Sequence, residues 1–280
     1  LLFPGKDDPL TTQTEDGSFE EVDLPSLDKL RGMLVLTIDE MLRTGHFPTS
    51  LKEGLISLIH KTGDPTKLGN YRPITLSSCV YKTATAILAQ RMLRVCEQAD
   101  AISHLQGSGR YGHSCHCKIG LVQNVLAHAR RTGQNLYLFF ADIEKAFDRV
   151  PHSGFKFSLE ELGFSDRLVQ LVENLQTLST VRIRPPARDG PVSEPIDVLR
   201  GCKQGCGLSP LRFILFMDIF LKKLLASGEG YDYAFETASE TGDTSVTVPG
   251  NAFADDTCLT SSSAAGITRA THMLDSFLGS

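Results

Sequence analysis

Three carboxylates could carry phosphoryl-transfer chemistry in this sequence. Phe253-Ala-Asp255-Asp256 sets two acids side by side, directly after an aromatic residue and before the apolar Cys258 and Leu259. Asp142 stands far earlier, at the end of the apolar run Leu136 to Ala141. Like charges meeting at two strand ends would repel unless a cation lay between them. A hard divalent cation such as Mg²⁺ takes oxygen ligands, usually one or two carboxylates together with substrate phosphates and water. Two such ions can activate an attacking hydroxyl and stabilise the leaving oxygen of an in-line phosphoryl displacement. Plainer roles stand beside this one. An Asp-Asp pair is commonly a solvated turn, and Asp142 could cap a helical turn over Ile143 to Phe147.

Other clusters point to less. Gly201-Cys-Lys-Gln-Gly205-Cys-Gly207 lies between a strand and a helix, where backbone amides can hold an anion, but it also suits a tight turn that needs glycine. Its spacing matches neither the dinucleotide fingerprint nor the P-loop. His113, Cys115, His116 and Cys117 lack the paired spacing of a zinc site. No GxSxG occurs, so a serine hydrolase is disfavoured.

The elements that must position these residues follow from periodicity. Leu30, Leu34, Ile38, Met41 and Leu42 recur at helical spacing before Gly45 and Pro48, which predicts an amphipathic helix within residues 26–50. Leu55 to His60 and Ile74 to Leu76 read as strands. Ser77 or Ser78 can cap a helix to about Cys96, and Ser114 one ending at Gly133, with the Gly-rich loop Gly107 to Gly112 between them. Leu136 to Ala141 has no polar alternation and reads as a strand buried on both faces. Two helices follow, Ser153 to Gly163 and Ser165 to about Thr177, each opened by a serine. Val181 to Arg184 and Ile196 to Leu199 read as a hairpin. Ser209-Pro210 opens a buried helix to about Ala226, with the serine as cap. Val246 to Val248 and Phe253 to Leu259 read as the last strands, and a helix runs to the end. The pattern predicts an α+β fold, helices backing one face of an antiparallel sheet, whose other face is open to a long substrate.

Composition bounds the remaining possibilities. Of 280 residues, 41% are hydrophobic and 22% charged, ordinary globular usage. Residues 1–50 carry ten acids against four bases, so the acidic excess sits in the leader and the body is near neutral. Nucleic-acid binding by bulk charge is therefore disfavoured, while a local basic groove stays open. Seven cysteines without framework spacing favour a reducing, intracellular setting. No apolar stretch is long enough to span a bilayer. Residues 1–25 read as a flexible acidic leader. The absence of an initiating Met suggests a segment of something longer.

Taken in order, these pieces resemble the reverse transcriptase family, most closely the enzymes of non-LTR (LINE-type) retrotransposons. The matching strings are Lys61-Thr-Gly-Asp with Asn70-Tyr-Arg-Pro-Ile74, Gln106 through Ser114, Ala141-Asp-Ile-Glu-Lys-Ala-Phe-Asp148, Arg200-Gly-Cys-Lys-Gln-Gly205 with Leu208-Ser-Pro210, and Phe253-Ala-Asp-Asp256. The resemblance implies fingers and most of the palm of a right-hand polymerase over residues 51–280, truncated before a thumb. It implies an RNA-directed DNA polymerase acting on an RNA template, a DNA primer and a deoxynucleoside triphosphate. Asp142, Asp255 and Asp256 would be the catalytic, metal-binding acids, with Mg²⁺ as the cofactor and Mn²⁺ as an alternative. Arg72 and Lys61 would neutralise the triphosphate. Phe147 would crowd the sugar 2′ position, though a core aromatic is an adequate reading too. Gln204 and Gly205 would back the incoming nucleotide and template, the glycine permitting close backbone approach. The family's work on chromosomal targets implies access to the nucleus.

The sequence departs from the family pattern at several points. Gly207 stands where proline is usual, Arg212 where an apolar residue is usual, Gly109 where phenylalanine is common and Leu51 where tryptophan is frequent. Arg212 on a buried helix must find a partner or reach water. The chain stops before the family's later Lys-bearing strand, primer grip and thumb. Two rival functions follow: an inactive remnant that binds RNA or a protein, and a palm-like nucleotide cyclase. The blocks around Arg72 and Gln204 disfavour the cyclase.

Overall fold

Capping residues set many of the boundaries in the computed structural model, which describes residues 11–13, 19–21, 26–185, 190–203, 205–235 and 244–279. Within the leader, β1 (Thr11–Gln13) and β2 (Phe19–Glu21) pair antiparallel. Helix α1 (Leu27–Thr44) starts at Ser26, whose hydroxyl accepts the Lys29 N–H, and ends at Gly45 in the left-handed conformation at φ 72°. A single turn, α2 (Thr49–Lys52), leads into the hairpin β3 (Gly54–His60) and β4 (Tyr71–Ser77). Helices α3 (Cys79–Gln98) and α4 (Cys115–Thr132) follow, the second capped by Ser114 and stopped by Gly133 at φ 70°.

Strand β5 (Tyr137–Ala141) runs into the short α5 (Ala146–Arg149), then α6 (His152–Glu161) and α7 (Asp166–Gln176). The hairpin β6 (Thr180–Arg184) and β7 (Ile196–Asp197) precedes α8 (Ser209–Ala226). Two more hairpins, β8 (Tyr231–Phe235) with β9 (Thr244–Val248) and β10 (Gly250–Phe253) with β11 (Asp256–Ser261), come before α9 (Ala264–Gly279).

The fold is α+β. One sheet has the order β4-β3-β6-β7 and is mixed, because β6 joins β3 in parallel (Gly54↔Val181); the other, β10-β11-β5, is antiparallel. No helix among the described residues is long and apolar enough to cross a membrane.

Several local expectations are corrected. Strand β5 is half-buried on one face rather than buried on both: among the described residues it pairs only with β11, at a sheet edge, and Phe140 is 68% exposed. The cap position of α6 is Pro151, not Ser153, and that of α8 is Leu208. Ser209 lies inside its helix, where its hydroxyl donates to the Lys203 carbonyl at 2.8 Å. The single strand expected from Phe253 to Leu259 is broken by the turn between β10 and β11, and β8, the partner of β9, was not foreseen.

Helix α8 lies between two apolar clusters and contributes to both. Leu211 and Leu215 belong to the cluster that also holds residues of α1, α3, α6 and α7; Phe213, Met217, Phe220 and Leu221 belong to the one shared with the β10-β11-β5 sheet and α9. A helix apolar all round is buried all round, and each such Leu or Phe contributes roughly 1.5–3 kcal/mol on burial.

Two charged side chains are buried on this helix, Asp218, which pairs with Lys222, and Arg212. Arg212 is 7% exposed and lies over the Phe155 ring, its Cζ 4.9 Å from the centroid, while Nε and Nη2 are buried with no hydrogen-bond partner among the described residues. The orphaned donors cost about 1–3 kcal/mol, and the cation–π contact offsets about 0.5–2 kcal/mol of that. Arg212→Met is therefore expected to stabilise the fold by about 1 kcal/mol, raising the melting temperature by ~2 °C. Calorimetry showing a lower melting temperature would refute this account of the site.

Candidate active site

Strand register brings the distant acids together. β11 pairs with β5 from Ser261↔Tyr137 to Thr257↔Ala141, so the next position along β5, Asp142, falls beside Asp256. β11 also pairs with β10 up to Phe253↔Asp256, leaving Ala254 and Asp255 as the turn. Alternation along the strands turns Phe139, Ala141 and Leu259 toward the core with α8 and α9. Asp142 and Asp256 line a cavity of about 400 Å³ on the other side, together with Phe140, Phe253, Cys258 and, from α4, Ile119.

Asp142 and Asp256 are exposed and Asp255 is half-buried in the turn. Asp142 is not a helix cap: the chain turns through Lys145 at φ 52°, which holds the cap position of α5. Among the described residues, no side-chain hydrogen bond or ion pair engages any of the three carboxylates. Nor do any three His, Cys, Asp or Glu side chains gather there closely enough to form a complete ligand set. The donor set is a pair of free carboxylates in adjacent register with a third in the connecting turn. That set fits Mg²⁺, which needs only one or two protein carboxylates when substrate phosphates and water complete its shell.

The other expected residues are distributed around this point. Phe147 on α5 stacks on Phe213, centroids 4.7 Å apart, and is half-buried, so it is at least a core aromatic. Gln204 lies outside the described residues. Gly205, at φ 108°, runs so close to β4 that a Cβ would overlap the Thr75 carbonyl oxygen. Gly207, in the place of the family's proline, packs as tightly: its added Cβ would come within 2.7 Å of the Ala86 backbone. Gly109 has φ 64°, a conformation in which the family's phenylalanine would be strained.

Arg72 on β4 and Lys61 just past β3 are exposed, and neither side chain has a partner among the described residues. Arg72 belongs to the other sheet and Lys61 follows its strand β3, and among the described residues no hydrogen bond or ion pair joins them to the strand-end acids. Lys203 is tied down instead: its ammonium donates to the Lys52 and Thr180 carbonyls, and burial pushes its pKa down to about 8. It anchors the loop rather than offering a free cation.

Sequence reasoning missed Gln106 as a functional candidate. It is fully buried, and its Oε1 accepts the N–H of Ala254 in the acid-bearing turn at 3.0 Å. A lone glutamine opening a Gly-rich block carries no spacing signature of such a contact.

The sequence profile described as "Reverse transcriptase (RNA-dependent DNA polymerase)" matches residues 59–280. The chain is 29% identical over 190 residues to the RNA-directed DNA polymerase from mobile element jockey of Drosophila melanogaster, a match covering 68% of this chain and 20% of that protein. It is 30% identical over 180 residues to the Retrovirus-related Pol polyprotein from type-1 retrotransposable element R2 of Popillia japonica, covering 64% and 24%. The Transposon TX1 uncharacterized 149 kDa protein of Xenopus laevis is 29% identical over 184 residues, covering 66% and 14%. The matched region thus spans less than a quarter of each relative. Among solved structures, apo telomerase from Candida tropicalis superposes with a TM-score of 0.53 at 11% identity, covering 95% of this chain and 49% of that one. Its form truncated from the C-terminal domain gives 0.52 at 12%, covering 95% and 55%. At these identities the likeness speaks for the fold.

Gly205→Ala places a side chain at a left-handed φ and against a backbone carbonyl, so it is expected to cost at least ~2 kcal/mol of stability. Gly112→Ala, at φ 74° but with nothing within 4 Å, tests the conformational part alone. Equal losses in urea unfolding would show that the Thr75 overlap contributes nothing.

Proposed function

The chain belongs to the reverse transcriptase (RNA-dependent DNA polymerase) family, and from that premise we propose that it carries the site of RNA-templated DNA synthesis. The observation that carries this reading is the β5–β11 register, which sets Asp142 beside Asp256 at a sheet end, with Asp255 in the adjoining turn. In the reaction, the 3′-hydroxyl oxygen of a DNA primer bonds to the α-phosphorus of a deoxynucleoside triphosphate. The α–β phosphoanhydride breaks, pyrophosphate leaves, and the hydroxyl proton passes to solvent.

Asp142, Asp255 and Asp256 would hold Mg²⁺, with Mn²⁺ as a substitute. When bound, the ion supplies charge neutralisation and lowers the pKa of the attacking hydroxyl. The carboxylates suit this because no protein cation competes for them among the described residues. Arg72 and Lys61, exposed and unpaired there, are available to neutralise the triphosphate. Gly205 lets the backbone lie against β4, and Gln204 and Gly205 would support the templating pair. Phe147, clamped on Phe213, would present one ring edge toward the sugar 2′ position and exclude a ribonucleotide by bulk.

Asp142→Ala and Asp255→Asn are each expected to lower primer extension on an RNA template at least ~100-fold, with folding intact by circular dichroism. Unchanged extension in Asp142→Ala defeats the assignment. Triphosphate binding that needs Mg²⁺ separates the enzyme from a remnant that binds RNA whatever residue stands at 255. Phe147→Val is expected to raise ribonucleotide incorporation relative to deoxynucleotide by ~10-fold or more. An unaltered ratio would leave Phe147 a core residue only.

A further inference from the structure

The turn between β10 and β11 is held in a conformation that its own residues disfavour. Ala254 sits at φ 56°, in the left-handed region, where an L-residue persists only if its surroundings hold it. Its N–H donates to Oε1 of Gln106 at 3.0 Å. The same oxygen accepts the Ser108 N–H, also at 3.0 Å, so the amide orientation is determined: an amide nitrogen could accept neither bond.

Gln106 is itself firmly placed. Gly107 N–H donates to the Ala252 carbonyl and Ala252 N–H to the Leu105 carbonyl, both at 2.9 Å, so residues 105–107 line up along β10. Arg110 donates to the carbonyls of Ser103 and Gln106 and forms a two-point ion pair with Glu97 of α3. Asp218 of α8 accepts the Ser103 N–H at 2.7 Å and pairs with Lys222. The Gln106 nitrogen, by contrast, is buried without a partner among the described residues. A methionine would fill similar volume with no orphaned donor, so packing does not account for an amide here. The acceptor it offers to both Ala254 and Ser108 does, and the Ala254 bond is the one that reaches the acid-bearing turn.

We infer that Gln106 is a positioning residue for the polymerase reaction, its side-chain oxygen holding Ala254 in the left-handed conformation of the turn that keeps Asp255 and Asp256 at the sheet end beside Asp142. The inference rests on the function proposed above. Gln106 acts through the backbone of the turn and is not a catalytic residue.

The test uses Gln106→Met, Gln106→Glu, Ala254→Gly and the Gln106→Met/Ala254→Gly double variant, with two readouts: primer extension, and amide hydrogen exchange at position 254 by NMR. In Q106M the Ala254 amide is expected to exchange ~10-fold faster while the β11 amides keep their protection. Extension kcat is expected to fall ~10-fold, with KM for the triphosphate changed less than ~3-fold. Adding Ala254→Gly should recover most of the lost kcat, since glycine adopts a positive φ unaided. Gln106→Glu keeps an acceptor oxygen and should keep the Ala254 amide protected. Wild-type exchange and kcat in Q106M, or no recovery in the double variant, overturns the inference. Should D142A still extend primers, the polymerase reading fails, and the exchange rate alone decides whether Gln106 holds the turn. In the wild-type chain the Ala254 amide is expected to be protected at least ~100-fold, and an unprotected amide overturns the inference whether or not Q106M folds.

Discussion

The pairing of β5 with β11 is the constraint on which the site depends. These strands lie far apart in sequence, and only their register decides what stands beside Asp142. A slip by one residue would turn every side chain of β5 to the opposite face. Phe139, Ala141 and Leu259 pack into the apolar cluster shared with α8 and α9, and this burial opposes such a slip. Gly250, at φ 141°, approaches the Cys258 carbonyl so closely that a side chain would not fit, which pins the other side of β11. The carboxylates are thus placed by apolar burial on the face they do not occupy.

Helix α8 transmits that placement to the rest of the chain. Because it is buried on both sides, the packing that positions the β10-β11-β5 sheet is continuous with the packing of α1, α3, α6 and α7. The loop before α4 adds a polar link, with Asp218, Ser103, Arg110 and Glu97 joining α8, the loop and α3. A buried ionic network of this kind is weak evidence for stability, since desolvation offsets most of the attraction. Its evident consequence is geometric: it holds the segment from which Gln106 reaches the turn.

Much was legible in the sequence because the signals are local. Ser114, Gly45 and Gly133 bound their helices where cap chemistry requires it, and the apolar run from Leu136 contains the strand Tyr137–Ala141. Caps at Ser153 and Ser209 were misplaced because a serine near a helix start can equally lie one or two residues inside it, as the Ser209 bond to Lys203 shows. Burial of β5 was overestimated because an apolar run does not reveal how many neighbours its strand has. Phe140 is exposed where the reading placed it in the core. The hairpin partner β8 was overlooked because Tyr231–Phe235 pairs across an intervening stretch that carries no short turn signature.

What the sequence by itself determined is the identity of the acids, the order of the blocks that make the chain a reverse transcriptase family member, and most element boundaries. The first two are read directly from the residues in chain order, and the boundaries are set by neighbouring residues through backbone preference and side-chain periodicity. What only the tertiary structure decided is the juxtaposition of Asp142 with Asp256, the accommodation of Arg212 by the Phe155 ring, and the hold of Gln106 on Ala254. Those contacts join positions far apart in the chain, and their energies depend on burial and orientation that exist only once the sheets and helices have packed.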